Sequence, residues 1–463
     1  MPHESARLQA APGLAEAELK ALLVSATGHY RLSHNDGLVF DKVRARLAAT
    51  GLPSIEAYLD YLKNGLGKEA ELDGLIAGLT VGETYFFRHP DQFDALRDRV
   101  LPECLARNAA SKQLRIWSAG CANGAETYSI AIAVRALLGE RAANWNVSIV
   151  GSDINRAFLA EAEAGRYSDW ALREMPDGER RAWFTQSDRF WVIKDRYREH
   201  VSFVNHNLVT GECPSIHKNI FAFDIVFCRN VMIYFGNAEN RAVIEKLRDA
   251  LVNGGFLFIA PSDYHAYLDG AFAPARAPGA IVFRKRGRPT GAAAARHLAP
   301  VADPAVEPRP LKAKIRPPAR PDTLAAPQPT ASPDLDSIVA AANRGDWAAA
   351  MQTCETLLER DICDVAAHYY YALIRHYSGA PAEAERALKR AVYLDPQFAL
   401  AHYQIGLLRK QSRDPAGCAR AFRNALESLV CVPDAATVSP CGQVTALDLR
   451  ELASQQLSLL AAR

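Results

Sequence analysis

Two stretches of this chain bring together residue types that do chemistry when a fold unites them. Ser118-Ala119-Gly120-Cys121-Ala122-Asn123-Gly124-Ala125-Glu126 is a run of small residues closing on an acid. Small residues let the backbone come close to a ligand, and a helix starting at the end of such a loop offers unpaired N–H groups. The run lacks both the GxGxxG spacing and the Gly-Lys-Ser/Thr ending of loops that cradle nucleotide phosphates. Glu126 would repel a phosphate and attract a cation. About 30 positions on, Gly151-Ser152-Asp153-Ile154 places an acid where it can accept two ribose hydroxyls. A phosphate-free loop and a ribose-binding acid suit a nucleoside ligand without a diphosphate. S-adenosylmethionine is the obvious candidate, with its adenosine, cationic sulfonium and zwitterionic amino-acid tail.

Such residues need a scaffold, and residues 81–286 carry one. Leu114–Ala119 and Val147–Ser152 are apolar strand patterns, followed by His200–Asn207, Phe223–Cys228, Phe256–Ala260 and Ile281–Arg284. Helical patterns intervene, among them Glu126–Gly139 and Ala238–Val252. This alternation predicts an α/β fold, a mostly parallel sheet with helices on both faces and its ligand beyond the carboxyl ends of the strands.

Other elements flank this unit. The first 80 residues read as helical, with amphipathic stretches Leu19–Thr27, Leu38–Ala49 and Ser54–Asn64, the last with Ser54 as its N-cap. The middle stretch sets Val39, Val43 and Leu47 in an apolar stripe and gathers Lys42, Arg44 and Arg46 near one side. Residues 287–333 hold 11 of the 26 prolines and almost no aromatics. Such a stretch cannot bury enough apolar area to offset chain entropy and reads as a semi-extended linker. Beyond it, Gly345-Asp346-Trp347-Ala348, Gly379-Ala380-Pro381-Ala382 and Arg413-Asp414-Pro415-Ala416 recur every 34 residues, as do Ala367-His368-Tyr369 and Ala401-His402-Tyr403. A 34-residue period with small residues where paired helices touch resembles the tetratricopeptide repeat and predicts a short all-α solenoid with a concave binding face. His368 and His402 recur with the period and read as packing residues.

Two further runs, Leu79-Thr80-Val81-Gly82-Glu83-Thr84-Tyr85-Phe86-Phe87-Arg88 and Phe223-Asp224-Ile225-Val226-Phe227-Cys228-Arg229-Asn230-Val231-Met232-Ile233-Tyr234-Phe235, join the glycine loop and Asn205-His206-Asn207-Leu208. In this order and spacing they resemble the CheR family of chemotaxis methyltransferases, over about residues 15–286. The resemblance implies a Rossmann-like S-adenosylmethionine-dependent methyltransferase domain that converts receptor glutamates to methyl esters and releases S-adenosylhomocysteine, with no metal. It assigns Gly82, Thr84, Arg88, Glu126, Asp153, Asn207, Leu208, Arg229 and Asn230 to the cofactor, the glycine through its backbone alone. It assigns Arg88 and Tyr234 to the transfer site. Arg88 would hold either the substrate carboxylate or the cofactor's own, and Tyr234 would orient the nucleophile. Lys42, Arg44 and Arg46 would approach an acidic receptor bundle. Pro261-Ser262-Asp263 stands where Gly-His-Ser-Glu is common. The stretch Gln186–Asn205 is short and free of glycine, unlike the β insertion of members that dock on a receptor's C-terminal pentapeptide.

The domains expected are a helical receptor-docking domain at 1–80, the methyltransferase domain at 81–286, the linker at 287–333 and the repeats at 334–463, which would recruit a protein partner. Deleting the repeats is then expected to spare activity on excess receptor. A scaffold that keeps cofactor without transferring methyl groups is the competing class, and a nucleic-acid or small-molecule methyltransferase is a third. With 54 Lys+Arg against 52 Asp+Glu, nothing in the composition calls for nucleic acid. No run reaches the roughly 18–20 apolar residues that cross a bilayer, and no secretory signal is evident. Nine cysteines without a metal-type cluster read as free thiols in a reducing compartment, so the expected location is the cytoplasm.

Overall fold

The pleat of a strand sends alternate side chains to opposite faces, and here both faces are apolar. Leu114 and Ile116 face one layer, Trp117 and Ala119 the other. A strand of that kind must lie inside a covered sheet. The computed structural model describes residues 13–33, 36–275, 277, 280–286, 333–412, 414–438, 440 and 444–461. The linker proposed at 287–333 lies outside the described residues, except for its last.

Four helices come first: α1 (Leu14–Thr27), α2 (Asp36–Thr50), α3 (Ile55–Asn64) and α4 (Lys68–Leu79). They enclose Leu19, Leu23, Val39, Val43, Tyr58, Leu62 and Leu75. Ser54 caps α3, its hydroxyl accepting from the Ala57 N–H at 3.3 Å. A fourth helix, α4, was not foreseen. Its Glu71 accepts the Arg46 guanidinium through both oxygens and the Tyr58 hydroxyl at 2.6 Å.

Next come α5 (Pro90–Ala95) and α6 (Leu101–Arg107), β1 (Gln113–Ala119), α7 (Ala125–Leu138), β2 (Asn146–Asp153) and α8 (Arg156–Ala164). A small antiparallel sheet of β3 (Arg166–Tyr167), β4 (Phe184–Ser187) and β5 (Phe190–Ile193), with α9 (Asp177–Trp183) before β4, inserts there. Its β4–β5 hairpin turns through Asp188 at φ 52°, so the absence of glycine did not prevent a hairpin. Then follow β6 (Val201–Asn205), β7 (Phe223–Cys228), α10 (Asn237–Ala250), β8 (Leu251–Ile259), α11 (Tyr267–Ala271), β9 (Phe272–Ala275) and β10 (Val282–Lys285).

The main sheet runs in the order β6-β2-β1-β7-β8-β10-β9. The first five strands are parallel, and β10 pairs antiparallel with β8 on one side and β9 on the other. The order reverses at β1, between β2 and β7, which is where such sheets open a crevice for a ligand. Helix α7 contributes Ile130 and Val134 to the layer on one face, and α10 contributes Val243, Ile244 and Leu247 to the other.

The C-terminal region is helical: α12 (Pro333–Asn343), α13 (Trp347–Arg360), α14 (Val365–Tyr377), α15 (Pro381–Leu394), α16 (Ala399–Gln411), α17 (Pro415–Glu427) and α18 (Ala446–Ala461). The 34-residue period is visible in the turns. Gly345 and Gly379 both take left-handed φ, 77° and 88°. His368 and His402 each reach a backbone carbonyl six residues upstream, of Ile362 at 2.8 Å and Pro396 at 3.0 Å. Both are packing residues.

The face these helices turn toward the sheet domain is already filled. Ile216, Phe221 and Ala222, from the loop before β7, belong to the same apolar core as Tyr369, Tyr370 and Tyr377 of α14. His217 Nδ1 lies 3.1 Å from the Tyr369 hydroxyl, and Tyr377 donates to the Ile216 carbonyl at 3.2 Å. Arg115 of β1 is buried among the rings of Phe221, Phe223 and Tyr377, 4.1, 5.2 and 5.3 Å from their centroids. Burial there pulls its pKa down to about 10. At the other end of the interface Arg156 of α8 is paired with Asp73 of α4 at 2.7 Å and with Glu451 of α18. The expected concave binding face is therefore an internal interface.

Candidate active site

The carboxyl ends of β1, β2 and β7 converge, and the site is built there. Beyond β1 the chain turns through Gly120 at φ 74°, Ala122 at φ 46° and Gly124 at φ 82° before α7 begins. A Cβ on Gly120 would lie 2.4 Å from Val231, and one on Gly124 2.7 Å from Ala162. Only glycine fits these two approaches. The loop is held to the end of β2, where Asp153 accepts the Ala122 N–H at 2.9 Å and the Asn155 N–H at 2.9 Å. Burial raises the pKa of Asp153, and those backbone donors oppose the rise.

Glu126, in the first turn of α7, is buried. One oxygen accepts from Ser118 at 2.7 Å and the other from Arg229 Nε at 2.6 Å. Arg229 also donates to the Gln92 side chain at 2.9 Å and to the Arg88 carbonyl at 2.6 Å. Its guanidinium is thus committed to a buried network tying α5, α7 and the end of β7 together. A buried ion pair of this kind survives because its remaining hydrogen-bonding capacity is met.

β6, the neighbour of β2 in the sheet, leads into Asn207 and Leu208 at the same edge. Asn207 uses its amide internally, donating to the Ala26 carbonyl at 2.6 Å and accepting from the Val209 N–H at 2.9 Å. It fastens the end of α1 to the catalytic domain, leaving buried Leu208 as the apolar surface. His206 beside it is buried, and burial lowers its pKa to about 3, so it is neutral near pH 7. The thiols of Cys121 and Cys228 are pushed up by burial and stay protonated.

The segment before α5 forms another wall. A Cβ on Gly82 would meet the Phe158 ring at 2.4 Å, so glycine there makes room for that ring. Thr84 and Arg88 are half-buried, and Arg88 donates to the Glu83 carbonyl at 2.9 Å. Phe87 and His89, on either side of Arg88, both take left-handed φ, 57° and 63°.

After β7, Asn230 takes φ 58° and leads into the short turn Met232–Tyr234. Asp263 holds this turn: its carboxylate accepts the Asn230 N–H and the Ile233 N–H, the latter at 3.2 Å. Asn230 donates to Ser262 at 3.2 Å. The Pro261-Ser262-Asp263 segment, whose part could not be read from sequence, is thus a brace. Tyr234 faces His29, with ring centroids 4.7 Å apart, and His29 pairs with Phe235 as an isolated antiparallel bridge. The helical domain therefore contributes a ring to this wall. No local spacing in the sequence ties His29 or Gln92 to the site; packing alone brings them there.

The basic helix is more divided than its sequence suggests. Lys42 and Arg44 are exposed, and Arg44 pairs with Asp41 one turn away. Arg46, whose side chain is 34% exposed, is engaged by Glu71.

Glycine approaches, a half-buried acid at the end of β2, Leu208 and no phosphate-type loop fit an S-adenosyl nucleoside at the switch point. Among the described residues no cluster of three or more His, Cys, Asp or Glu is placed to hold a metal ion, and no helix is long and apolar enough to cross a membrane.

The chain is similar in sequence to known proteins. Residues 82–277 match the family described as CheR methyltransferase, SAM binding domain. The chain is 30% identical over 396 residues to the "Probable biofilm formation methyltransferase WspC" of Pseudomonas aeruginosa, covering 82% of this chain and 90% of that protein. It is 30% identical to the chemotaxis protein methyltransferase of Borreliella burgdorferi over 49% of this chain and 79% of that one. It is 32% identical to chemotaxis protein methyltransferase 2 of Vibrio cholerae over 49% and 77%. The first of these alignments is longer than the sheet domain, so it takes in flanking helical regions as well.

Proposed function

Since the chain belongs to the CheR family of S-adenosylmethionine-dependent methyltransferases, we propose that it converts glutamate side chains of chemoreceptor-like signalling proteins to methyl esters. The observation that carries this reading is the set of contacts at the strand ends, where Asp153 holds the loop after β1 and Arg229, beside the turn that carries Tyr234, joins Glu126 to the Arg88 carbonyl. Asp153 would accept the ribose hydroxyls and Leu208 would cover the adenine. The backbone of Gly82 and the side chains of Thr84 and Arg88 would line the amino-acid tail. Glu126, Arg229, Asn207 and Asn230 shape the walls.

When bound, the cofactor supplies an electrophilic methyl on a sulfonium. A glutamate carboxylate is ionised at pH 7, so no base on the enzyme is needed. The O–CH3 bond forms as the S–CH3 bond breaks, and no proton moves. The work left to this chain is alignment and exclusion of water. Charge separation falls as anion meets sulfonium, so a dry site favours the transition state. Arg88 holds a carboxylate in place, and Tyr234, fixed by its turn and by His29, donates a hydrogen bond that orients the attacking oxygen. Residues 1–80 present Lys42 and Arg44 to an acidic receptor bundle, residues 81–286 carry out the transfer, and the repeats recruit a protein partner. The setting of such a reaction is the cytoplasm.

The test is transfer of tritiated methyl from S-adenosylmethionine to receptor cytoplasmic fragments, read as base-labile label. Arg88→Ala and Tyr234→Phe should each lower the rate by roughly 100-fold or more. Wild-type rates in both, or label stable to base, would exclude the roles or the ester.

A further inference from the structure

Of the inner helices of the repeat region, α14 packs on the catalytic domain through Tyr369, Tyr370 and Tyr377, and Tyr403 of α16 lies near Glu163 of α8, which turns attention to the outer layer as the surface for a partner. The outer layer is α13, α15 and α17, and its composition changes along the row. In α15, Arg386, Lys389 and Arg390 are exposed; in α17, Arg420 and Arg423 are exposed. Arg386 and Arg420 are 34 positions apart, as are Lys389 and Arg423, so the repeat geometry sets them in matching places on successive helices. The acids of α15 are drawn inward. Glu383 pairs with Arg375 of α14 at 3.2 Å, and Glu385 pairs with Arg409 of α16 and with Lys389 at 2.9 Å. Glu427, at the end of α17, is the exposed acid of the two helices. In α13 the corresponding positions are Gln352 and Glu355, so the cationic face belongs to the second and third repeats.

We propose that this outward face of α15 and α17 is the docking surface of the repeats, and that its partner is an acidic segment of protein. The proposal rests on the reading of the chain as a protein methyltransferase, because a glutamate-rich protein substrate brings the complementary charge. Cations spaced i, i+3 and i+4 on α15 and repeated on α17 form a two-helix strip. An acidic helix laid along the strip would meet both rows. Held there, the substrate is tethered to a rigid unit, since the opposite face of the solenoid is fixed to the sheet domain. Tethering raises the effective concentration of the methyl-accepting site without touching the chemistry.

The experiment uses the full chain without cofactor and a fluorescein-labelled 20-residue Glu/Ala helical peptide, followed by anisotropy at several salt concentrations. Arg386→Glu/Arg420→Glu should weaken binding by about 10-fold or more and flatten the salt dependence, with Arg386→Gln/Arg420→Gln intermediate. Methyl transfer to saturating receptor fragment should be unchanged in both variants. That separates this proposal from the reading it rests on: absence of any base-labile label defeats the function, whereas equal peptide affinity in wild type and variants defeats the docking surface. Tighter binding of single-stranded oligothymidylate or of anionic phosphatidylglycerol vesicles than of the peptide, lost in the same variants, would also overturn it.

Discussion

Asp153 is the residue whose setting has the sharpest chemical consequence. It must be ionised to accept two hydroxyl donors, yet burial raises its pKa above that of a free aspartate. The sign follows. As pH falls, Asp153 gains its proton earlier than an exposed carboxylate would, and cofactor binding is lost with it. The fold is not lost for the same reason, because at this residue protonation relieves an unfavourable buried charge and favours the native state. Titration calorimetry between pH 4.5 and 8 should show cofactor affinity falling through a range above the ordinary aspartate pKa of about 3.9. Asp153→Asn should weaken binding by roughly 10–100-fold at pH 7 and remove that pH dependence. An unaltered pH profile in the variant would show that another group titrates. Asp153, Arg88 and Tyr234 stand out in the sequence as candidates because each sits in a motif with fixed spacing. Arg229 and Asn207 were legible as belonging to the site, but not in their parts. Their hydrogen bonds go to Gln92, Glu126 and Ala26, distant in sequence, and only packing shows that they brace walls.

At the level of elements, the strands and long helices were readable from periodicity, and the turns were not. β8 starts at Leu251, five residues before the expected strand, because Leu251 pairs with Phe223, the register is interrupted across Val252-Asn253-Gly254-Gly255, and pairing resumes at Phe256 opposite Ile225. The left-handed positions Phe87, His89, Ala122 and Asn230 all lie in loops that form the site. Nothing in a phenylalanine or an alanine signals positive φ. Such strain costs about 1–3 kcal/mol per residue and is maintained by the surroundings. The turn after β7 shows how. Two of its N–H groups end on Asp263, which is 2% exposed. Asp263→Ala would leave two half-buried donors unpaired and should destabilise the domain by about 1–3 kcal/mol. In the fraction that folds, kcat should fall well beyond any change in cofactor affinity, since the turn carries Tyr234. Asp263→Asn, which keeps one acceptor, should recover part of the rate. Equal losses in kcat and in cofactor affinity would show that the brace supports the whole crevice rather than the tyrosine.

For the molecule as a whole, the sequence suggested separable parts on a tether, and the structure joins them. The 34-residue period gave the helices correctly, but periodicity does not say which face a solenoid leaves open. His217, Phe221 and Tyr377 could not be linked in advance, because they come from different domains with the whole linker between them. Removal of residues 334–463 would expose Ile216 and Phe221, both fully buried, and open the ring cage around Arg115. At about 1.5–3 kcal/mol for each apolar side chain, the loss is roughly 3–6 kcal/mol, enough to threaten a domain of ordinary stability. A fragment ending at residue 333 should therefore melt well below the full chain in calorimetry, and Ile216→Thr/Phe221→Ser should improve its solubility. A fragment as stable and active as the full chain would show that the interface is not needed for folding.

The same interface bears on how the protein is made. Synthesis runs from the amino terminus, and domains tend to fold as they emerge. The loop that holds Ile216 and Phe221 leaves the ribosome well before its cover, α14, has been translated. At about 5–20 residues per second, that interval of some 150 residues lasts on the order of 10–30 seconds. Throughout it the nascent chain carries an uncovered aromatic patch, and a holding chaperone bound to that loop would be displaced by the repeats themselves.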